Sequence, residues 1–186
     1  MRFLPIEGTG LILIEPELHQ DERGCFAEVL RQDQLAEHGI PTDLVQENFS
    51  RSTRGVLRGL HYQHPHAQGK LVRCISGAIY DVAVDLRRGS PDFGAWTAVE
   101  MHAGGHHTLW IPPGFAHGFY AMSELVEVTY HCTTYYRPEQ SRTIAWDDPD
   151  LAIEWPIERV RDGDPILSEG DRAGSAFADA VPYEAN

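Results

Sequence analysis

The sequence predicts an all-β protein, an antiparallel jelly roll of the cupin type with two facing sheets and a few short helices. Short runs rich in β-branched and aromatic residues recur along most of the chain, which is typical of a sandwich or barrel. Turn-forming residues separate these runs, since the chain contains 17 Gly and 12 Pro. Clear helical signals are confined to one short segment. Together these observations favour a sheet protein over a helical or mixed one.

The predicted elements follow in order along the chain. A helix is predicted over residues 33–38, where Asp33 opens the segment and Gly39 ends it. A second short helix is predicted around 149–153. From residue 173 the residues are mostly small or acidic, and we expect a partly flexible tail. Strands are predicted over residues 11–14, 25–31, 44–51, 56–63, 71–75, 78–86, 96–101, 108–111 and 124–134.

Length and composition indicate a single domain over residues 1–172, followed by the tail at 173–186. The chain has 186 residues, 42% of them hydrophobic, which is enough for a sizeable core. Its formal net charge of −13 argues against nonspecific nucleic-acid binding. No apolar run approaches the roughly 20 residues that span a bilayer, and residues 1–10 lack the apolar core of a signal peptide. We expect no membrane partner.

The cysteine pattern predicts a cytoplasmic protein. Cys25, Cys74 and Cys132 are odd in number and widely spaced, without a C-x-x-C pair. Such a pattern indicates neither a disulfide framework nor a thiolate zinc site. We therefore expect reduced and mostly buried thiols.

One stretch of the chain carries more polar side chains than core strands need. Gln46, Asn48 and Ser50 alternate, and would share one face of a strand; His61 and Gln63 form a similar set further on. Polar groups on an inward face cost free energy unless they are hydrogen-bonded, so such rows indicate a hydrated cavity. A solvent-facing sheet surface would give the same alternation, and periodicity leaves both interpretations open.

A second polar stretch presents His117 on a turn after Pro112, beside aromatic residues. Further on, Tyr130 and Tyr136 share a face if the strand that carries them is regular. At ~3.3 Å per residue they would lie up to roughly 20 Å apart, at opposite ends of a long ligand. Two tyrosines in a barrel wall would show the same spacing, so this alternative stays open.

The histidines raise the question of a metal site. A metal-binding cupin has a His-x-His pair, a Glu four or five residues later and a distant further His; His64, His66 and His117 fit the histidine positions. Lys70 and Leu71 stand where the Glu should be. An ammonium group repels a divalent cation and removes an anionic ligand, so we expect no metal. Lys70 is also the chain's only Lys, which indicates that a compact ammonium is needed there.

The sequence resembles the dTDP-4-dehydrorhamnose 3,5-epimerases of deoxysugar biosynthesis. The most specific matches are VLRGLHYQ at 56–63, GKLVR at 69–73 and DVAVD at 81–85. The resemblance implies a metal-free cupin fold without a cofactor, a homodimer, and a dTDP-linked 4-keto-6-deoxyhexose as substrate. It also implies a place in L-rhamnose biosynthesis for cell-wall polysaccharide or O-antigen. The other matching stretches, in the family's order, are 21–24, 46–48, 90–91, 111–119, 135–136, 146–149, 155–156 and 167–168.

The resemblance also implies residue roles. The C3 and C5 protons of the substrate are α to the C4 ketone, so their removal gives an enolate, and inversion needs a base and an acid on opposite faces of the ring. His61 matches the family's base, Asp171 its orienting carboxylate and Tyr130 its proton donor. Lys70 resembles a cation placed near the enolate oxygen, and Tyr136 resembles the residue that stacks on thymine. The positions that match ligand contacts are Arg23, Glu28, Gln46, Asn48, Arg58 and His117.

Two positions depart from the family pattern, and three other functions remain as alternatives. Ser141 replaces a frequent Glu, and Gly170 replaces the Lys of the terminal Leu-Ser-x-Lys-Asp motif. Both departures concern nucleotide binding more than the chemistry, and Arg142 or Arg172 would replace the lost contacts. The alternatives are an epimerase that inverts one carbon only, a metal-dependent cupin enzyme and a noncatalytic sugar-nucleotide binding module. The combination of His61, Tyr130 and Asp171 argues against the last, because binding alone needs no acid and base.

Overall fold

A computed structural model describes residues 1–184 of the chain. Its helices are α1, Gln32–Glu37, and α2, Glu169–Arg172, with single 3₁₀ turns at Ala103–Gly105, Pro138–Gln140 and Phe177–Asp179. The strands within this range are β1 Arg2–Pro5, β2 Ile12–Glu15, β3 Leu18–Asp21, β4 Gly24–Ala27, β5 Gln46–Thr53, β6 Leu57–Gln63, β7 Lys70–Ser76, β8 Ala78–Asp85, β9 Arg87–Arg88, β10 Trp96–His102, β11 Thr108–Ile111, β12 Phe115–Ala121, β13 Leu125–Cys132, β14 Ser141–Thr143 and β15 Tyr183–Glu184.

Two antiparallel sheets form the body of the fold. The six-stranded sheet has the order β1-β2-β11-β7-β13-β5, and the five-stranded sheet has the order β10-β8-β12-β6-β14. Strands that are consecutive in the chain alternate between sheets, as in β5–β6, β7–β8 and β12–β13. This arrangement confirms the predicted all-β jelly roll with few and short helices. The hairpin β3–β4 stands apart as a two-stranded sheet, and β15 pairs with β9 in parallel.

The main core lies between the two sheets. Val72 and Val128 enter it from the six-stranded sheet, and Ile79 and Phe119 enter it from the five-stranded sheet. Each of these side chains is almost fully buried. Burial of one such side chain contributes about 1.5–3 kcal/mol, so this cluster supplies much of the stability that holds the sheets together.

Later segments of the chain cover the outer face of the five-stranded sheet. Val82 and Val84 on β8 point to this face, where they belong to a cluster that includes Leu151, Phe177 and Tyr183. Both faces of β8 are therefore buried, and its sequence is apolar apart from Tyr80, Asp81 and Asp85. The segment from residue 173, predicted as a partly flexible tail, therefore makes apolar contacts here; residues 185–186 lie outside the described residues.

The structure differs from the sequence prediction at one central strand. Residues 115–121, read as the end of a turn, form β12 in the middle of the five-stranded sheet. Ala and Gly residues lower the strand signal of this segment, but Gly118 has a steric purpose. A Cβ on Gly118 would lie 2.7 Å from the carbonyl oxygen of Arg58, and one on Gly59 would lie 2.5 Å from the Cα of Gly118. The two glycines let β6 and β12 approach closely.

One of the two predicted helices is present in the structure, and the other is absent. The predicted helix at 33–38 is α1, shifted by one residue. The helix predicted around 149–153 is absent; instead the Asp148 carboxylate accepts hydrogen bonds from the backbone N–H groups of Asp150 and Leu151 and stabilises a turn. An unpredicted helix, α2, begins after Ser168, whose hydroxyl accepts a hydrogen bond from the N–H of Asp171.

Two further expectations concern membrane-spanning segments and the cysteines. None of the helices among residues 1–184 is long and apolar enough to cross a membrane. The three cysteines are unbonded; Cys74 and Cys132 are buried as expected, whereas Cys25 on the β3–β4 hairpin is exposed.

Candidate active site

A cavity of about 470 Å³ opens between the two sheets, within the usual size range of small-molecule sites. Strands β5, β7 and β13 supply one wall and β6, β12 and β14 the other, with α2 at the edge. The polar rows on β5 and β6 therefore face a cavity, which is one of the two interpretations that periodicity left open. The predicted site residues that line it are Gln46, Asn48, Arg58, His61, Lys70, His117, Tyr130, Tyr136 and Asp171.

His61 and Asp171 form a hydrogen-bonded pair at the edge of the cavity. His61 Nε2 lies 2.6 Å from Asp171 Oδ1, and the backbone N–H of Gly59 donates to the same oxygen at 3.2 Å. The Ser168 hydroxyl donates to Asp171 Oδ2 at 2.7 Å. Burial alone would raise the pKa of the Asp171 carboxyl, but the hydrogen bonds from His61 and Ser168 outweigh it and bring that pKa to about 2. Asp171 is therefore a carboxylate at neutral pH.

This pair determines which nitrogen of His61 is available for chemistry. A carboxylate can only accept a hydrogen bond, so Nε2 carries a proton, and in the neutral imidazole Nδ1 is the nitrogen with the free lone pair. The His61 side chain is 44% exposed, although Asp171 beside it is almost fully buried. The arrangement is that of an imidazole base whose tautomer a carboxylate fixes.

A second His–carboxylate pair lies deeper in the same wall. His117 Nε2 lies 2.9 and 3.0 Å from the two carboxylate oxygens of Asp81, and both side chains are buried. Burial lowers the pKa of the His117 imidazole, and the charge of Asp81 opposes this effect. Strands β6 and β12 pair His61 directly with His117, so the two pairs are neighbours across one strand pair.

Lys70 and Tyr130 face the histidines from the opposite sheet. Lys70 is only 8% exposed, and its ammonium lies 6.0 Å from the centre of the Tyr130 ring. Burial lowers the pKa of the Lys70 ammonium, while Cys132 and Asp81 counteract this effect. Burial also raises the pKa of the Tyr130 phenol, with an opposing contribution from Arg58. The phenol is thus protonated at neutral pH.

Polar side chains of β5 continue the lining toward Tyr136. Gln46 Nε2 donates to Asn48 Oδ1 at 2.9 Å, and Gln46 Oε1 accepts from the backbone N–H of Tyr136 at 2.8 Å. Strand β13 ends at Cys132, so Tyr136 lies beyond it and does not share a strand face with Tyr130. The Tyr136 ring is half exposed.

Arg58 is held rigidly beside this row. Its Nε donates to Ser52 Oγ at 3.0 Å, and one terminal nitrogen donates to the backbone carbonyl of Arg51 at 3.2 Å. Arg58 and Lys70 are the basic residues of the lining, and Asp171 is its acidic residue. Although the chain is strongly acidic, its cavity therefore concentrates positive charge.

The structure does not bring Arg23 and Glu28 into this cavity. Arg23 lies in the β3–β4 turn, where it forms an ion pair with Asp21, and Glu28 follows the hairpin with its carboxylate 3.8 Å from Arg31. All four side chains are substantially exposed. Within one chain, these two residues are separated from the other predicted ligand contacts.

Three residues of the site had no role predicted from the sequence, although Gln63 belonged to one of the polar rows that indicated a cavity. Asp81 and Gln63 lie within the matching stretches 81–85 and 56–63, but nothing in the local pattern shows that Asp81 faces a histidine. The capping role of Ser168 could have been predicted, because a Ser three residues before an acidic residue is typical of a helix N-cap.

The histidines of the possible metal motif do not converge in the structure. His66 Nδ1 lies 2.8 Å from Gln140 Oε1, and the His64 ring is 5.4 Å from that of Tyr183; neither residue lines the cavity with His117. Among residues 1–184, no three His, Cys, Asp or Glu side chains form a group suited to a metal ion. The absence of a bound metal in the active protein stays a prediction.

Comparison with known proteins agrees with this geometry. The family model of the dTDP-4-dehydrorhamnose 3,5-epimerases matches residues 5–179. A relative of that name from Pseudomonas aeruginosa is 52% identical over 171 residues, which cover 91% of this chain and 92% of the relative.

Solved structures extend the likeness to three dimensions. The Legionella pneumophila dTDP-6-deoxy-D-glucose-3,5-epimerase, in complex with dTDP-4-keto-L-rhamnose, has a TM-score of 0.93 and 41% identity over 100% of this chain and 98% of its own. A 3'-monoepimerase from Streptomyces bikiniensis, in complex with dTDP-quinovose, has a TM-score of 0.84 and 35% identity over 96% of this chain and 88% of its own. From the matched family model and the identity to its members, the chain is an isomerase that belongs to the dTDP-4-dehydrorhamnose 3,5-epimerase family.

Proposed function

We propose that the cavity binds a dTDP-linked 4-keto-6-deoxyhexose and inverts its C3 and C5 carbons, which converts dTDP-4-dehydro-6-deoxyglucose to dTDP-4-dehydro-L-rhamnose. One observation carries this proposal: His61 and Tyr130 enter one cavity from different sheets, so a base and an acid flank the space between them. Inversion at a carbon α to a ketone requires this arrangement, because the proton must leave one face and return to the other.

His61 is the proposed base, and Nδ1 is the atom that accepts the proton. As the imidazole becomes cationic, the carboxylate of Asp171, 2.6 Å from Nε2, stabilises the charge. The loss of the proton leaves an enolate with its charge on the C4 oxygen. The same base acts at C3 and C5, since both carbons flank the ketone.

Tyr130 is the proposed acid. Its raised pKa keeps the phenol protonated at neutral pH, so the phenol can donate its proton to the enolate carbon. The phenolate formed on proton transfer is then stabilised by the nearby cations Lys70 and Arg58. Exchange with solvent then returns a proton to Tyr130 and removes one from His61 before the next inversion.

The enolate oxygen needs a fixed positive group, and Lys70 is the proposed one. The Lys70 ammonium sits in a largely water-excluded wall, where a preorganised charge contributes several kcal/mol more than in water. The buried His117–Asp81 pair lies in the same region, where His117 is a proposed ligand contact. The Lys70 ammonium does not need to reorganise when charge develops.

The nucleotide is proposed to lie toward the open end of the cavity. Arg58, Gln46 and Asn48 supply a cation and amide groups for the diphosphate and sugar. The exposed Tyr136 ring offers a stacking surface for thymine, an interaction worth about 1–3 kcal/mol. Ser141 and Gly170, the two departures from the family pattern, both line this cavity.

The positions of Arg23 and Glu28 support a homodimer. Both residues belong to an exposed hairpin segment that also carries Phe26, whose side chain is 70% exposed. They would contact ligand if this segment reached the cavity of a second copy. Mixing Arg23→Ala with His61→Asn protein tests this idea, because hybrid dimers would then contain one intact site and regain activity. Without regain, Arg23 does not act across a dimer.

The decisive experiment is incubation with dTDP-4-dehydro-6-deoxyglucose in D2O, with deuterium counted at C3 and C5 by NMR. We expect label at both carbons and a product inverted at both. The likeness to the 3'-monoepimerase supports a second candidate, inversion of one carbon only. Label and inversion confined to one position would establish that candidate; no label at either would refute both.

The proposal also covers the cellular location of the protein and the pathway that uses its product. The unpaired thiols of Cys25, Cys74 and Cys132 fit the reducing cytoplasm. The product would serve L-rhamnose synthesis, with cell-wall polysaccharide or O-antigen as its destination.

A further inference from the structure

We propose that Gln63 is a positioning residue, which holds the backbone of residues 135–137 and thereby the Tyr136 ring against the nucleobase. This inference rests on the proposed function, in which Tyr136 stacks on thymine. It assigns a role to a residue that lines the cavity but takes no part in the proton transfers.

The amide of Gln63 is fully used by backbone groups. Its Oε1 accepts a hydrogen bond from the N–H of Arg137 at 2.7 Å. Its Nε2 donates to the carbonyl oxygens of His66 at 2.9 Å and Tyr135 at 3.2 Å. Both amide hydrogens are therefore committed, and the side chain is only 3% exposed. Such a group holds a loop in place and has no donor left for a ligand.

Other groups hold the two ends of the loop on which Gln63 acts. Thr133 and Thr134 are bonded to residues 67–69, and the carbonyl of Arg137 accepts a hydrogen bond from the N–H of Gln140. Gln63 and Gln46 bond the backbone between these ends. Residues 133–137 follow the end of β13, and they carry Tyr135 and Tyr136 with 65% and 53% exposed side chains. The Tyr136 ring has no aromatic neighbour among the ring pairs of residues 1–184. Its position is consequently set through its backbone.

A second glutamine, on the six-stranded sheet, also restrains the loop that carries Tyr136. Gln46 on β5 accepts from the N–H of Tyr136, while Gln63 on β6 binds the residues on either side. Three successive residues are thus held between the two sheets. Gln63 also lies two positions after His61 on the same strand, so one strand places both the proposed base and the nucleotide loop.

The loss of this amide would remove the hydrogen bonds that Gln63 makes to the backbone of His66, Tyr135 and Arg137. Gln63→Met keeps the approximate volume but removes three hydrogen bonds, so the loop would sample other conformations. Binding must then restore order, which weakens nucleotide affinity and leaves the chemical step largely intact. A catalytic role would instead lower kcat.

The test compares Gln63→Met with Gln140→Met. Gln140 bonds the His66 side chain and does not contact residues 135–137 through its amide, so it is a matched control. For Gln63→Met we expect about 10-fold weaker dTDP binding by calorimetry and a similar rise in KM, with kcat within about 3-fold. The Arg137 amide should exchange faster with D2O. The control should show none of these changes.

Two further variants make the result decisive. Gln63→Glu keeps the acceptor for Arg137 but loses both donors, and we expect weaker dTDP binding from it even if the Met variant is poorly folded. In a Tyr136→Ala background, Gln63→Met should cost little further affinity, because both changes remove the same stacking contact. The inference would be overturned if the affinity losses of Gln63→Met and Tyr136→Ala were additive. It would also be overturned if both Gln63 variants bound dTDP as tightly as the wild type does. Wild-type protein that binds no dTDP would refute the proposed function as well.

Discussion

Asp171 accepts a hydrogen bond of 2.6 Å from His61, although the two residues are 110 positions apart in the sequence. The short helix α2 makes this contact possible, since the Ser168 cap holds Asp171 at the strand that carries His61. The proposed base and its proposed orienting carboxylate thus come from distant parts of the chain.

The base is tested by His61→Asn. We expect deuterium exchange at C3 and C5 to fall by about 10²–10⁴-fold, because the general base is lost, while dTDP still binds. His64→Asn is the control, since His64 is near in sequence but does not line the cavity. Exchange at the wild-type rate at either carbon would show that another group is the base there.

Asp171 makes the stability of the protein depend on pH. Its pKa falls from an ordinary 3.8 to about 2 on folding, which corresponds to about 2 kcal/mol of stability. Because the folded pKa is the lower one, this stability is present above pH 4 and is lost as the pH falls toward 2. Urea unfolding of wild type and Asp171→Asn between pH 6 and 2 measures it. The difference between them should shrink in acid; a constant difference would contradict the prediction.

Tyr130→Phe separates proton exchange from inversion. The variant lacks only the hydroxyl, so His61 still abstracts protons and returns deuterium to the original face. We expect label to enter the substrate faster than inverted product forms, with inversion slowed by about 10²–10⁴-fold. One NMR sample reports both rates. Near-normal inversion would mean that Tyr130 is only part of the cavity wall.

Metal removal should have no effect on activity. Lys70 stands where a cupin metal site needs a Glu, and its ammonium opposes a divalent cation. Dialysis against EDTA should leave turnover unchanged, and elemental analysis should find no stoichiometric metal. The prediction would be wrong if the protein carried about one equivalent of zinc or iron, and if activity were lost on removal of the metal and regained on its return.

The C-terminal segment should contribute to stability. Phe177 and Tyr183 pack on the outer face of the five-stranded sheet, and the N–H of Tyr183 donates to the carbonyl of Leu86. Truncation after Arg172 should lower the free energy of unfolding by about 2 kcal/mol or more, since two aromatic contacts are lost. A chain ending at residue 184 is the control. Equal stability of all three chains would identify residues 173–186 as a tail outside the domain.

Local signals in the sequence were sufficient for much of the fold. Alternating polarity singled out the row of Gln46, Asn48 and Ser50, although it left open whether the row faces a cavity or solvent. The Gly and Pro spacing predicted most of the long strands, but it missed the short strands β1, β3, β9, β14 and β15. The same signals failed at β12, because Gly118 is selected for close contact with Gly59 and not for strand propensity. They failed again at 149–153, where the Asp148 side chain competes for the backbone N–H groups that a helix would use.

By itself, the sequence determined the fold class, because strand periodicity is a local property. Its motifs, through their resemblance to a known family, indicated the family and most of the candidate site residues. Only the tertiary structure decided which groups meet. It joined Asp81 to His117 and Gln63 to the Tyr136 loop, and it separated Arg23 and Glu28 from the cavity. The physical reason is that the pairing of distant strands sets these contacts, and one residue's shift in register would turn His61 or Tyr130 away from the cavity.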